Sequence, residues 1–333
     1  MNRRDFLAET TLGSALLMNT TIGAKTVEAF AQHQEKRRKE LWGLLGDLPW
    51  QHTPKPAQTI KVEEHPAFML EHLVLDLNGQ EPVPAYLLIP KKRKEKAPGL
   101  LYLHAHGGTY TIGRSELLDG RNVLPAYAKS LAEMGIVTLA IDSWCFGGRA
   151  SQNKQQGEWD TFKSMLWMGQ VLWGMIVFDD LRSLDYLSKR PEVDPARIGA
   201  FGLSMGSTRA WWLAALDPRV KLCIDLCCLT DFEELILAHN LKGHGIYYYV
   251  PRLLKHFTTA QINELIVPRR HLSLNGRKDA LTPPKGVEKI RDHLLPLYRQ
   301  HGQEKDCRIE LFDCAHEETP AMRALVHEWL QQL

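Results

Sequence analysis

From residue 100 onward, short apolar runs with strand character alternate with longer segments of helical periodicity, and this alternation constrains the fold more than any other feature. The runs cover 100–104, 136–141, 197–203, 220–227, 270–274 and 308–312, and the helical segments cover 124–134, 171–187, 208–216, 286–298 and 320–333. Connections long enough to hold a helix cannot be hairpins, so the pattern predicts a mostly parallel sheet with helices on both faces. Upstream, 70–77 and 83–89 read as two strands joined at Asn78-Gly79, a hairpin-turn dipeptide. Residues 32–48 are charged and helix-compatible, and 49–66 read as an irregular approach. Segment 231–268, with Tyr247, Tyr248, Tyr249 and Pro251, is longer than a crossover requires. It is expected to form a small helical cap over the strand ends, a purely structural insertion being the alternative.

At 333 residues and 44% hydrophobic, the chain can bury a core of one α/β catalytic domain, expected over 62–333, with 32–61 as a helical extension. The 41 Lys and Arg nearly balance 39 Asp and Glu, a formal charge of +2, so no field of one sign covers the molecule and nucleic acid is not an expected partner. The basic run Lys91, Lys92, Arg93, Lys94 and Lys96 sits between two strand-like segments and reads as a solvated loop. No apolar stretch approaches the roughly 20 residues that span a bilayer, so no membrane anchor is expected.

The N-terminus carries an export pattern. Asn2-Arg3-Arg4-Asp5-Phe6-Leu7 resembles a twin-arginine motif, an apolar run follows over 12–18, and Ala29-Phe30-Ala31 is a small-residue cleavage pattern. Residues 1–31 are therefore expected to be a signal peptide, which places the mature chain outside the cytoplasm. Glu9, a charge where the apolar segment begins, keeps an amphipathic helix and a cytoplasmic location as the alternative. The six cysteines do not fix the compartment. Cys307 and Cys314 bracket an extended segment, which holds them roughly 23 Å apart at about 3.3 Å per residue, too far to bridge.

The chemistry is concentrated in Gly202-Leu203-Ser204-Met205-Gly206, a G-x-S-x-G sequence directly after one strand and before a helix. A serine on such a turn has an exposed hydroxyl, the glycines permit close backbone approach, and the helix N-terminus favours developing negative charge. Serine is a weak nucleophile until a base removes its proton, so a carboxylate and then a histidine are expected later in the chain. Asp279 follows the penultimate strand and His316 follows the last one. Asp231 is the competing acid, and Glu317 adjoins the histidine. The oxyanion requires two backbone amides: Met205 supplies one, and Gly108 or Gly107, in His104-Ala105-His106-Gly107-Gly108, the other. His104 and His106 admit a rival reading as an H-x-H metal pair, although no neighbouring cluster completes a ligand set. Trp144, Arg149 and His106 are candidates to contact substrate, and Arg149 could instead pair with an acid such as Asp160 to hold its loop. Trp159, Trp167 and Trp173 read as core or rim aromatics.

With these residues in place, the chain from about Val62 resembles the α/β-hydrolase superfamily, and within it the dienelactone-hydrolase and acetyl-xylan-esterase-like branch. The matching stretches are 104–108, 142–149, 190–194 leading into 202–206, 275–283 and 315–322. The resemblance implies an eight-stranded sheet, a Ser204, Asp279 and His316 triad, and carboxylester hydrolysis without metal or organic cofactor. Dienelactone hydrolases carry cysteine where Ser204 stands, which moves the expected substrate toward acetyl or other short acyl esters, including those on carbohydrate. Ser207 stands where relatives often carry glycine, a change that concerns packing. A serine peptidase of prolyl-oligopeptidase type and a non-catalytic binding protein on the same fold are the alternatives.

Overall fold

In the computed structural model, which describes residues 27–333, the alternation resolves into nine strands. They are β1 (Gln58–Glu64), β2 (Phe68–Leu75), β3 (Val83–Pro90), β4 (Ala97–Leu103), β5 (Val137–Ile141), β6 (Val193–Leu203), β7 (Val220–Leu226), β8 (Arg270–Gly276) and β9 (Cys307–Phe312). They form one sheet in the order β1-β2-β3-β5-β4-β6-β7-β8-β9. β1, β2, β3 and β5 pair antiparallel in succession, and every pair from β5 through β4 to β9 is parallel. The count is nine, not the expected eight, because 49–66 is not wholly irregular: it contains the whole of β1, so the sheet begins before the expected domain boundary at 62. β1 is an edge strand with almost no buried side chain, and without a buried face it carries no hydrophobic alternation to read. The Asn78-Gly79 turn joins β2 and β3 as expected, with Gly79 at φ +71°.

By compactness the chain divides into two units, Met1–Leu41 and Trp42–Leu333. Helix α1 runs over 27–43 and includes Ala29-Phe30-Ala31 of the expected cleavage pattern. The twin-arginine-like residues and the apolar run 12–18 lie outside the described residues. No described helix is long and apolar enough to cross a membrane.

The inner parallel strands β5, β7 and β8 are buried almost throughout, as a sheet covered on both faces requires. One face packs Tyr102, Phe201, Ile224 and Leu272 against α3 (Ala128–Glu133), which follows the short α2 (Glu116–Asp119), and against the C-terminal α11 (Pro320–Leu330). The opposite face carries α5 (Leu172–Ser188), α6 (Met205–Leu216) and α10 (Pro284–Gln300), with α4 (Gln155–Trp167) preceding α5. All twelve residues of α6 are buried, Ser207, Thr208 and Arg209 included. Segment 231–268 is a set of short helices, α7 (Phe232–Leu237), α8 (Leu253–His256) and α9 (Thr259–Glu264), with single 3-10 turns between α7 and α8.

A buried ion pair joins two helices of that second face. Arg209 on α6 donates to Asp180 on α5 with Nε–Oδ2 at 2.9 Å and Nη2–Oδ1 at 2.5 Å, and neither side chain reaches solvent. Burial pushes the Asp180 carboxyl up from its ordinary value, and Arg209 opposes that rise. Removing one partner strands a charge in a layer buried from solvent, so Arg209→Leu should lose about 3–5 kcal/mol of unfolding free energy. Replacing both residues with apolar ones should lose less than the single change, as urea denaturation of the two variants would show.

Candidate active site

Ser204 occupies the turn between β6 and α6 with φ 60° and ψ −121°, a conformation that a residue with a Cβ rarely adopts. Its amide donates to the Leu226 carbonyl at 2.9 Å, which ties the turn to the end of β7. The flanking glycines are required by contact. A Cβ on Gly206 would overlap the Leu103 carbonyl at the end of β4, and one on Gly202 would lie 2.5 Å from both that oxygen and Gly206. The start of α6 thus rests on the end of β4, and the loops leaving β4 and β6 adjoin. As at any helix start, the first-turn amides of α6, Met205 among them, have no partner within the helix.

Asp279 and His316 are brought together across two further loops. His316 Nδ1 lies 2.7 Å from Asp279 Oδ2, with the carboxylate buried and the imidazole side chain 25% exposed. Asp279 Oδ1 also accepts the Leu281 amide at 2.9 Å, which fixes the carboxylate plane. The loops are laced together: Arg277 N–H donates to Phe312 O at 2.7 Å and Lys278 N–H to Cys314 O at 2.9 Å. Gly276 admits the Ala315 carbonyl where a Cβ would block it. Neither competing acid takes this place. Asp231 caps α7 by accepting the Glu234 amide at 3.0 Å and pairs with Lys289, and Glu317 is exposed. Ser204 and Asp279 leave β6 and β8, which flank β7, so their strands run roughly 10 Å apart at about 4.8 Å per step.

The loop after β4 is held from below by buried charge. The Ala105 amide donates to Glu116, and Arg121 both pairs with Glu116 and donates to the Ala105 carbonyl at 3.0 Å. Burial pushes the Glu116 carboxyl up, against the lowering effect of Arg121. His104 is wholly buried: its Nε2 accepts the Ser143 amide at 3.1 Å, so Nδ1 carries the proton and donates to Ala105 O at 2.9 Å. Desolvation holds its pKa well below the ordinary histidine value. With both ring nitrogens bound to backbone, His104 has none for a metal, and the H-x-H reading fails. Gly107 and Gly108 are exposed, with φ of +56° and +68°. The Gly108 amide donates to His106 Nδ1 at 3.0 Å, whereas no hydrogen bond engages the Gly107 amide among the described residues.

Two expected substrate contacts are buried instead. Arg149, expected to face substrate, bridges Asp179 at 2.8 Å and Glu81, donates to the Asp142 carbonyl, and is 1% exposed in its side chain. Its acid partners are Asp179 and Glu81, not Asp160, because the β2–β3 turn and α5 converge beneath this loop. Trp144 lies under that guanidinium, 4.4 Å from ring centroid to Cζ. Of the other tryptophans, Trp173 is fully buried, and Trp159 and Trp167 stand out on the exposed side of α4.

Three residues at the site were not legible in sequence. His244 donates through Nε2 to the Leu281 carbonyl at 2.9 Å, and its pKa falls through desolvation, with the proximity of His316 adding to the fall. Tyr247 stacks on His106 at 5.3 Å, and Glu158 of α4 reaches His106 Nε2 at 3.3 Å. The cap turn 244–247 therefore lies between the acid loop and the loop after β4. Only the tyrosine run hinted at this, because α4 is polar around most of its surface and gives no amphipathic signal.

All six cysteines are buried and unbridged. Burial pushes the Cys145 and Cys228 thiols up to about 11 and Cys307 to about 12, and Cys227, beside Asp279, rises as well. None is a thiolate near neutral pH. Among the described residues Cys223, Asp225 and His271 are the cluster with metal-ligating atoms within 4.8 Å of one another. It lies inside the sheet, where Asp225 already accepts from His271 and Ser273, each at 2.6 Å.

A serine held at a strained strand-to-helix turn, on a mostly parallel sheet of this order, is the architecture of the α/β-hydrolase class. Comparison of the sequence agrees: the Abhydrolase family profile matches residues 20–280, and the chain belongs to that family. It is 45% identical over 299 residues to the Bacillus subtilis (strain 168) protein named "Putative hydrolase YtaP", covering 89% of this chain and 98% of that one. Among solved structures, a glucuronoyl esterase from Solibacter usitatus superposes with a TM-score of 0.65 at 15% identity, over 89% of this chain and 91% of that one. An acetyl xylan esterase from Paenibacillus sp. R4 does so with a TM-score of 0.57 at 20% identity, over 91% and 94%. At those identities the likeness is one of fold.

The strained φ at Ser204 has a measurable consequence. Strain there costs about 1–3 kcal/mol, and glycine's extra unfolded-state freedom costs about 0.5–1 kcal/mol. Ser204→Gly should therefore be more stable than Ser204→Ala by about 1 kcal/mol, read from paired denaturation curves. The thiols give a second expectation: Ellman's reagent should label none of the six within minutes in the native protein and all six after denaturation.

Proposed function

We propose that this protein is a serine esterase that cleaves short-chain acyl esters, including acetyl esters on carbohydrate, through an acyl-enzyme intermediate. The observation that carries the reading is the 2.7 Å pairing of His316 Nδ1 with buried Asp279, which leaves Nε2 as the basic nitrogen. Two structural relatives named as a glucuronoyl esterase and an acetyl xylan esterase support ester bonds as the target.

Ser204 Oγ gives its proton to His316 Nε2 and attacks the ester carbonyl carbon. Asp279 holds the Nδ1–H tautomer and stabilises the imidazolium that forms. The oxyanion is received by the Met205 amide, at the positive end of α6, and by the Gly107 amide, since the Gly108 amide is held by His106. Collapse of the tetrahedral intermediate breaks the bond to the alcohol, which leaves with the proton from His316. Water, deprotonated by the same nitrogen, then adds to the acyl carbon and releases the acid, restoring the Ser204 hydroxyl. Cysteine does not replace serine here, because every thiol is raised by burial. The Arg3-Arg4 pattern extends the proposal to export from the cytoplasm, where polymeric esters would be met.

Ser204→Ala should lower turnover of p-nitrophenyl acetate by at least about 10³-fold, and Asp279→Asn by about 10²–10⁴-fold, with unchanged circular dichroism. A fluorophosphonate should label the wild type and not Ser204→Ala. Activity retained without the Ser204 hydroxyl would remove the assignment, and faster cleavage of an aminoacyl amide than of its matched ester would favour a peptidase.

A further inference from the structure

We propose that Glu158, acting through His106, is a positioning residue for the oxyanion loop, so that helix α4 controls the geometry of the acyl-transfer site. The proposal rests on the serine-esterase reading above.

The loop 105–109 has little to hold its own shape. Gly107 and Gly108 are consecutive residues at positive φ, both are exposed, and the local backbone bond from Thr109 N–H to His106 O is long, at 3.4 Å. A stretch of that kind samples many conformations unless side-chain contacts fix one. The side chain of His106 does so. Its Nδ1 accepts the Gly108 amide at 3.0 Å, which places the ring proton on Nε2. That nitrogen lies 3.3 Å from Glu158 Oε1, within reach of the carboxylate charge but outside hydrogen-bond geometry, so Glu158 acts on the ring electrostatically.

Glu158 is itself fixed. Its side chain is 1% exposed, and its second oxygen accepts the Tyr110 hydroxyl at 3.0 Å. It is one of only two buried residues on α4, and the other, Met165, is apolar. Burying a carboxylate on an otherwise exposed helix is unfavourable unless the carboxylate is paired, and its two partners here are both groups of the oxyanion-loop region. The imidazole is also caged, edge-on to Phe146 at 4.9 Å and to Tyr110 at 5.1 Å and stacked on Tyr247 of the cap at 5.3 Å. The cage narrows the rotation of the ring, and the carboxylate selects one orientation within it. With the Gly108 amide bound to the ring, the adjoining Gly107 amide remains to receive the oxyanion. Loss of the carboxylate frees the ring, and loss of the ring frees the peptide on which that amide is carried.

Such a role predicts damage to the transition state and little to ground-state binding. His106→Phe keeps the aromatic cage and removes the acceptor. It should lower kcat on p-nitrophenyl acetate by about 10–100-fold with KM within about twofold, and should weaken phenylboronic acid, a tetrahedral mimic, by a similar factor. His106→Asn, whose Oδ1 can accept the Gly108 amide, should recover most of that loss. Glu158→Gln, the mildest change, should lower kcat about tenfold with an unchanged thermal midpoint. A His106→Phe enzyme within twofold of wild type in kcat and boronate affinity would overturn the proposal, as would a His106→Asn enzyme no better than His106→Phe. A wild type that neither turns over esters nor takes up a fluorophosphonate would instead remove the esterase reading beneath it.

Discussion

The contact on which the rest of the site depends is the close approach of Gly206 and Gly202 to the Leu103 carbonyl. It brings the first turn of α6 against the end of β4, and so sets the Met205 amide beside the loop that carries Gly107. A methyl group at either glycine would drive the two loops apart. The same closeness forces Ser204 to positive φ, which turns its hydroxyl out of the sheet. Strain at the serine and tight packing behind it are therefore one structural fact seen from two sides.

Around this contact, buried charges hold the loops at the strand ends. Asp142, after β5, accepts the Arg114 amide at 2.7 Å and the Gly148 amide at 2.8 Å and pairs with the Arg114 guanidinium. Glu116 and Arg121 grip the backbone of Ala105, and Arg149 links Asp179 to Glu81. Each carboxylate replaces hydrogen bonds that a loop would otherwise draw from water. Loops fixed in this way can present backbone amides in set directions, which hydrogen-bond donors aimed at a transient anion require. Asp279 with the Leu281 amide and the His106 ring with the Gly108 amide extend the pattern into the candidate site.

The sheet order places these loops together. β4 lies between β5 and β6, so the chain reverses its direction of winding there, and crevices in open α/β sheets form outside the carboxyl ends at such a reversal. Short helices after β7 and the polar α4 after β5 then cover the crevice. Their inward residues, His244, Tyr247 and Glu158, approach the loops after β8 and β4.

What the sequence determined by itself was whatever repeats locally or sits at a boundary. The alternation of runs gave the parallel sheet, Asn78-Gly79 gave its hairpin, and the glycines around Ser204 gave the turn, because periodicity, turn chemistry and steric need are written in neighbouring residues. Asp279 and His316 were legible for the same reason, each coming directly after a strand. Tertiary structure alone decided the rest. Asp279, and not Asp231, faces the imidazole because Asp231 is engaged as a helix cap. Arg149 is an internal brace because α5 and the β2–β3 turn happen to converge on it. β1 escaped notice because an exposed edge strand needs no apolar face, and Glu158 because a single buried acid on a polar helix has no periodic mark. These outcomes depend on which side chains meet across distances of tens to hundreds of residues, and only the folded chain brings those partners within reach of a hydrogen bond.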